Sequence, residues 1–390
     1  GARDFLIAYN INLNTRDHRL ATDIAFELRE SGRSKRIPNR DSLNLLDGEI
    51  VRNSDGSPVK IKGLFKEVKA VGWYVDIYKR AQISINFNNY KVSSIHEVFD
   101  AACKLAEERG LRVTGSELVG LVPQDALLMA GNHYLKKQRR SLGIPKEDII
   151  EIAIQSLGLN DVVSFKPEEK IIENAISKTN HELSSLSITK FIDELSRNSV
   201  APGGGSVSAL VGSLGASLSS MVASLTHEKK DFVKIKNEME KIGFEAQSLK
   251  DRLTFLIDED TNAFKQLIKM NRLPESTSME SKYKKESIRK ANEYAIEVPF
   301  EVASLCLRIL GIAKSLVEKG NPNSVSDAGV ASEVALSGVR GAAMNVLINL
   351  QGLGNNAYCN EKEKNVRDLI KKAEALHKDI FKKTLNTIIK

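Results

Sequence analysis

Cysteine is nearly absent from this 390-residue chain, which has only three. Cys103, Cys306 and Cys359 stand far apart and form no CxxC pair. That argues against a disulfide scaffold or a zinc knuckle and for a reducing compartment, so a cytoplasmic location is expected. Histidine is sparse too: the six, at 18, 96, 133, 181, 227 and 377, make no HxxxH or HExxH spacing, and no metal site is expected. No Gly-x-Ser-x-Gly elbow points to a serine hydrolase. No C2H2 spacing, RNP-type motif or basic-leucine pattern accompanies the formal charge of +7, and the lysines and arginines are spread along the chain apart from short clusters such as 136–140. The basic balance reads as a solvated surface, with no nucleic-acid partner.

Charge is missing altogether from Val200 to Leu225, long enough to span a bilayer. Serine and glycine are strewn through this stretch and no aromatic belt flanks it. A buried bundle helix fits better, with small residues permitting close helix approach, and no membrane is expected.

The length suggests two to three domains, and a hydrophobic fraction of 42% lets each bury a core. Residues 1–165 alternate strand and helix signals. Strands are expected near 5–13, 68–75, 81–87 and 113–122, and helices near 18–30, 94–109, 124–137 and 147–157. The polar stretch 37–61, with Asp47-Gly48 and Asp55-Gly56 as turn signals, reads as a hairpin insertion. The order β-α-β-β-α-β predicts an α+β ferredoxin-like subdomain. Residues 166–186 read as a polar linker. From 187 to 390 the period becomes helical, with helices near 187–198, 206–227, 231–271, 279–318, 325–351 and 361–389, an all-α helical bundle domain. Pro299 is expected to kink or break the fourth.

Three constellations could carry chemistry. In Ala201-Pro-Gly-Gly-Gly-Ser206, three glycines precede a helix whose N-terminus favours an anion. The loop lacks the Lys-Ser/Thr of a Walker A motif, and a flexible turn between helices is the plain alternative. Asp260 falls inside the apolar stripe Leu253, Leu256, Ile257, Phe264, Leu267, with Asp258 and Glu259 expected to point elsewhere. An acid facing other helices has its pKa raised toward the range useful for proton transfer, or else is paired for structure. Gly320-Asn-Pro-Asn-Ser-Val-Ser-Asp327 leads into a helix with a small-residue face on which Asn345 and Asn349 lie one turn apart. Their amides suit a pterin, or an ordinary interhelical hydrogen bond; Ser326 and Asp327 also suit helix capping.

These residues carry a resemblance. Residues 187–390 resemble the cyclodeaminase family through Ala-Pro-Gly-Gly-Gly-Ser-Val (201–207), Leu-Ile-Asp-Glu-Asp-x-x-Ala-Phe (256–264), Arg-Leu-Pro (272–274), Gly-Asn-Pro-Asn-Ser-Val-Ser-Asp (320–327) and Asn-Val-Leu-Ile-Asn-Leu (345–350). Residues 1–165 resemble the C-terminal subdomain of glutamate formiminotransferases through Gly-Ala-Arg-x-Phe-Leu-Ile-Ala-Tyr-Asn (1–10), Gly-Trp-Tyr (72–74), Ala-Gln-Ile-Ser (81–84) and Gly-Ser-Glu-Leu-Val-Gly-Leu-Val-Pro (115–123). The order is that of the bifunctional formimidoyltransferase-cyclodeaminase family, whose first transferase subdomain, with its catalytic histidine, is expected to precede Gly1.

The resemblance implies folate one-carbon chemistry in histidine degradation. N10 of 5-formimidoyltetrahydrofolate attacks the formimino carbon and ammonia leaves, giving 5,10-methenyltetrahydrofolate; the family's catalytic acid falls on Asp260. The transferase half, incomplete here, implies formimino transfer from N-formimino-L-glutamate to tetrahydrofolate. The resemblance places folate contacts at Gly1, Ala2, Arg3, Phe5, Leu6, Ile7, Ala8, Tyr9 and Asn10 and at Tyr78, Lys79 and Arg80; the small-residue faces of the helices at 206–227 and 325–351 add Gly203, Gly204, Gly205 and Ser206, and Asn323, Asp327 and Asn345 are further folate candidates. Tetrahydrofolate, expected to be polyglutamylated, is the co-substrate, without a metal, and a homo-oligomer is expected. Two alternatives stand: a methenyltetrahydrofolate cyclohydrolase, and a non-catalytic folate-binding or assembly module.

Overall fold

The computed structural model describes residues 5–176, 182–354 and 356–389. The chain divides into two compact units, Gly1–Arg139 with Pro145–Lys178, and Arg140–Ile144 with Thr179–Lys390.

The first unit is a mixed α/β fold around strands β1 (Ile7–Leu13), β2 (Val68–Val75), β3 (Arg80–Phe87) and β4 (Val113–Val119). They line up as β2-β3-β1-β4 with every neighbouring pair antiparallel. Period-2 alternation gives the sheet two unlike faces. Ile7, Tyr9, Ile11, Ile83 and Ile85 join one core with residues of α1 (His18–Leu28), α2 (Ile95–Glu107), α3 (Gln124–Lys137) and α4 (Lys146–Leu157). Asn10, Asn12 and Gln82 alternate with them on the other face. Caps fix the helix starts: the Asp17 carboxylate accepts from Arg19 N–H, and Ser94 with Glu97 forms a capping box at α2. α4 stops at Gly158, whose φ of 62° is left-handed. Between α1 and β2 the chain forms four two-residue strands in two small ladders, Arg33–Ser34 with Lys60–Ile61 and Arg36–Ile37 with Glu49–Ile50. The expected insertion is thus a pair of ladders rather than one hairpin.

The second unit is helical: α5 (Ile188–Leu195), α6 (Gly204–Glu228), α7 (Lys236–Asn271), α8 (Ser278–Lys319), α9 (Val325–Leu350) and α10 (Ala357–Ile388). Among the described residues α6 alone is long and apolar enough to cross a membrane, and most of its length is buried inside the protein. Its serines explain how so polar a stretch packs. Ser208, Ser217 and Ser219 donate to carbonyls four residues back, Ser213 bonds Thr254 of α7, and Ser220 and Ser224 donate to the Gly143 carbonyl. Close approach of α6, α8 and α9 rests on two glycines, since a Cβ on Gly212 or on Gly338 would stand 2.6 Å from Cys306 Sγ.

Pro299 neither breaks nor ends its helix: α8 runs unbroken for 42 residues with Pro299 inside. Proline cannot donate to the carbonyl four residues back, here that of Ala295. The Asn349 amide of α9 donates to that carbonyl instead, at 2.7 Å. The expectation of a break is corrected by this replacement.

Candidate active site

The Gly-Gly-Gly stretch opens α6. Gly203 is the N-cap, so Gly204, Gly205 and Ser206 form the first turn, where backbone N–H groups have no helical partner. The Ala201-Pro202 peptide bond preceding them is cis. Asp260 of α7 meets this turn. A Cβ built on Gly205 would lie 2.0 Å from Asp260 Oδ1 and 2.5 Å from Oδ2, so only glycine admits the carboxylate there. Ser206 is fully buried; its hydroxyl donates to the Ile257 carbonyl at 2.8 Å and lies 3.4 Å from Asp260 Oδ2 and 3.3 Å from Thr261 Oγ1. A Cβ on Gly204 would come within 3.3 Å of Asn345 Nδ2, whereas one on Gly203 would touch nothing. Asn345 itself donates to the Gly341 carbonyl at 2.9 Å, and among the described residues its amide oxygen accepts no hydrogen bond.

Two opposed effects act on Asp260. Burial is the larger and pushes its carboxyl above the ordinary carboxylate range; the Ser206 backbone N–H, which donates to it, and the nearby Ser206 hydroxyl pull the other way. No cation is paired with it among the described residues. A half-buried acid of raised pKa, held rigidly at a helix start, can take up and return a proton.

The neighbouring acids are used differently. Asp258 points elsewhere, as expected, but not to water: it is 6% exposed and accepts the Leu183 and Ser184 backbone N–H groups and the Ser184 hydroxyl. Glu259 accepts from the Tyr294 hydroxyl on α8. α7 is flanked on two sides, by α6 and by the 182–187 segment, so acids about 200° apart around the helix are both covered. Phe264, expected inside the stripe, is 38% exposed, because α7 there has passed the start of α6.

The other expected site residues are not all brought together. Asn323 and Asp327 lie at the start of α9 and Asn345 near its end, about 27 Å apart at 1.5 Å per residue. Within one copy they therefore do not share a site with Asp260. Neither side chain has a hydrogen bond or ion pair among the described residues, so Asp327 does not cap α9; the turn is organised instead by Asn321, whose side chain accepts from Asn323 N–H. Asn349 serves the Ala295 carbonyl, the ordinary interhelical role.

In the first unit, Gly1, Ala2 and Arg3 lie outside the described residues. Phe5 is exposed and Leu6 half-buried, both ahead of β1. Ile7 and Tyr9 are buried in the helix-covered core, which removes their side chains from any site on the opposite face and corrects that expectation. Ala8 and Asn10 do lie on the opposite face. Tyr78 and Lys79 form the β2–β3 turn, Lys79 with a φ of 50°. Arg80 bonds Thr114 and Asp161, and Asp161 continues through Asn12 to Gln82 and Trp73. This polar chain, Asp161 above all, was not read from sequence; the pairing spans 149 positions between Asn12 and Asp161 and has no local signal. Among the described residues no group of three or more His, Cys, Asp or Glu is placed to hold a metal ion.

Two family profiles match in chain order: the formiminotransferase domain over residues 8–177 and the formiminotransferase-cyclodeaminase domain over residues 187–368. A methenyltetrahydrofolate cyclohydrolase of Methylorubrum extorquens is 35% identical over 194 residues, 50% of this chain and 93% of the relative. The chain belongs to the formimidoyltransferase-cyclodeaminase family. The family's pig member, formimidoyltransferase-cyclodeaminase of Sus scrofa, is 35% identical over 379 residues, 96% of this chain. The chain spans 65% of the length of that relative. The crystal structure of a formiminotetrahydrofolate cyclodeaminase from Thermotoga maritima aligns with 52% of this chain and 96% of its own, at 26% identity and a TM-score of 0.44.

Proposed function

We propose that the helical unit is a formimidoyltetrahydrofolate cyclodeaminase with Asp260 as its proton-transfer group. N10 of the substrate attacks the formimino carbon, N10 loses its proton, and the former imino nitrogen, once protonated, leaves as ammonia; the product is 5,10-methenyltetrahydrofolate. One carboxyl that accepts the first proton and returns it to the departing nitrogen serves both steps. The observation carrying this reading is the Asp260 carboxyl seated against Gly205, with its pKa raised by burial. Gly203, Gly204, Gly205, Ser206 and Asn345 would line the folate subsite, the glycines leaving room for a flat ring. The test is ammonia release from 5-formimidoyltetrahydrofolate by the purified chain.

A second reading has support of its own, since one relative bears the name methenyltetrahydrofolate cyclohydrolase. Hydrolysis of 5,10-methenyltetrahydrofolate without ammonia release distinguishes it.

For the first unit we propose formimino transfer from N-formimino-L-glutamate to tetrahydrofolate, as a step of histidine degradation. Ala8, Asn10, Tyr78, Lys79 and Arg80 would contact the folate. A cytoplasmic homo-oligomer working on polyglutamylated folate completes the proposal, and its support is the three free cysteines and the uncharged outer face of α6.

A further inference from the structure

A cavity of about 270 Å³ lies in the first unit, between α1 and the ladder residues that follow it. That is just below the ~300–1,000 Å³ of ordinary small-molecule sites and leaves room for one ring or a short chain. Arg33, Arg36, Lys62 and Glu27 supply its charges, and Phe26, Leu45, Ile61 and Leu64 give it an apolar wall. Ile61 and Leu64 are 46% and 62% exposed, so apolar surface meets water at its mouth. None of the residues proposed above to contact folate lines it.

The charges around this cavity do not cancel. Asp23 and Glu27 stand one turn apart on α1. Arg33 Nη1 lies 2.7 Å from Asp23 Oδ1 and 3.2 Å from Glu27 Oε1. Arg109 Nε donates to Asp23 Oδ2 at 2.7 Å, and its Nη2 donates to Glu27. Two carboxylates thus meet two guanidiniums, and the quartet is neutral. Arg36 and Lys62 are cations in excess of it. Asp47 also interacts electrostatically with Arg36, but it is paired with Arg19 at 2.6 Å. Arg36 gives only Nη1 to the Leu46 and Gly48 carbonyls. Lys62 has no ion pair or hydrogen bond among the described residues. Arg33 is 7% exposed, and its Nη2 has no hydrogen-bond partner among the described residues. A guanidinium N–H left unpaired away from water is costly, and an incoming oxygen removes that cost.

We propose that this cavity binds a small organic oxyanion, a phosphate monoester or a carboxylate on an apolar body, with its head on Arg33, Arg36 and Lys62 and its body against Phe26 and Ile61. Guanidinium forks suit such a head because two parallel N–H groups match two of its oxygens. Asp23 and Glu27 hold Arg33 in place before the ligand arrives, so little side-chain entropy is lost on binding. The site is separate from both reactions proposed above and does not depend on either.

The test is calorimetric titration of the full chain, at low salt, with phenyl phosphate, benzoate and phenol. At least one of the two anions should bind at about 1 mM or tighter, within reach of a ligand of about ten non-hydrogen atoms. Phenol has the ring without the charge and should bind at least about tenfold more weakly. Tighter binding of phenyl phosphate identifies the head as phosphate, tighter binding of benzoate identifies it as carboxylate, and either supports the site. Lys62→Glu reverses one of the excess charges, and Leu64→Glu sets a carboxylate at the mouth. Each should weaken binding of the preferred anion at least about tenfold. Both positions are exposed, so both variants should fold, with the urea midpoint as the check. Binding of neither anion overturns the proposal. So does phenol binding as tightly as the anions, or an unchanged affinity in either folded variant.

Discussion

The Asn349 side-chain amide donates to the Ala295 carbonyl at 2.7 Å, taking the place of the backbone N–H that Pro299 lacks. Ala295 is buried, so without Asn349 its carbonyl would be left unpaired away from water. Asn349→Leu should therefore cost about 1–3 kcal/mol, the penalty of one unsatisfied buried group. Pro299→Ala restores a backbone donor, so in that background Asn349→Leu should cost markedly less. Urea unfolding of the two single variants and the double variant checks this; equal costs of Asn349→Leu in both backgrounds would show that the two residues act independently.

Much of this fold is legible locally. β2 at Val68–Val75 and the start of α2 at Ser94 follow from alternation and from a capping box that needs only four residues. Asp260 could be singled out because its helix neighbours Leu253, Leu256 and Ile257 are apolar. What stayed hidden depends on distant partners. The unbroken course of α8 through Pro299 depends on an amide 54 positions from Ala295. The burial of Asp258 depends on a segment 74–75 positions away. The separation of Asn323 and Asp327 from Asn345 follows from the length of α9, which a motif list ignores.

The three glycines before Ser206 are unequal. A methyl at Gly205 would collide with both Asp260 oxygens, one at Gly204 would press on a flexible amide, and one at Gly203 meets open space. Gly205→Ala must move the carboxylate by about an ångström, a displacement that can cost about 100-fold in turnover. Gly204→Ala should lose less, and Gly203→Ala should stay near wild type. Turnover in the series, with thermal unfolding alongside, tests the order; equal losses at all three positions would return the loop to a simple helix connector.

The first unit should weaken in mild acid. His96 of α2 stacks on His133 of α3 with ring centroids 4.4 Å apart, and its Nδ1 has no hydrogen-bond partner among the described residues. Burial, then the His133 charge, push its pKa down to about 4, against the opposing pull of Glu97 and Asp100. Asp100 is itself bonded by His133, Tyr134 and Lys137. With the folded pKa below the unfolded one, the unfolded chain takes up the proton first as pH falls. The stability due to neutral His96 is complete above about pH 6.5 and declines toward about pH 4, by at most about 3 kcal/mol. His96→Phe keeps a ring against His133 and cannot titrate, so its denaturation midpoint should change less across that window. Parallel pH dependences for the two proteins would remove His96 as the cause.

The account turns on one carboxyl. Asp260→Asn fills the same space beside Gly205 and accepts no proton, so ring closure should fall by at least about 100-fold, the low end of general acid–base effects. Helical circular dichroism and the unfolding midpoint should change little. The measurement is the steady-state rate of ammonia release from 5-formimidoyltetrahydrofolate by wild type and Asp260→Asn at equal enzyme concentration. A large loss of kcat with the fold intact is the expected result; near-normal turnover by the folded variant would contradict the mechanism.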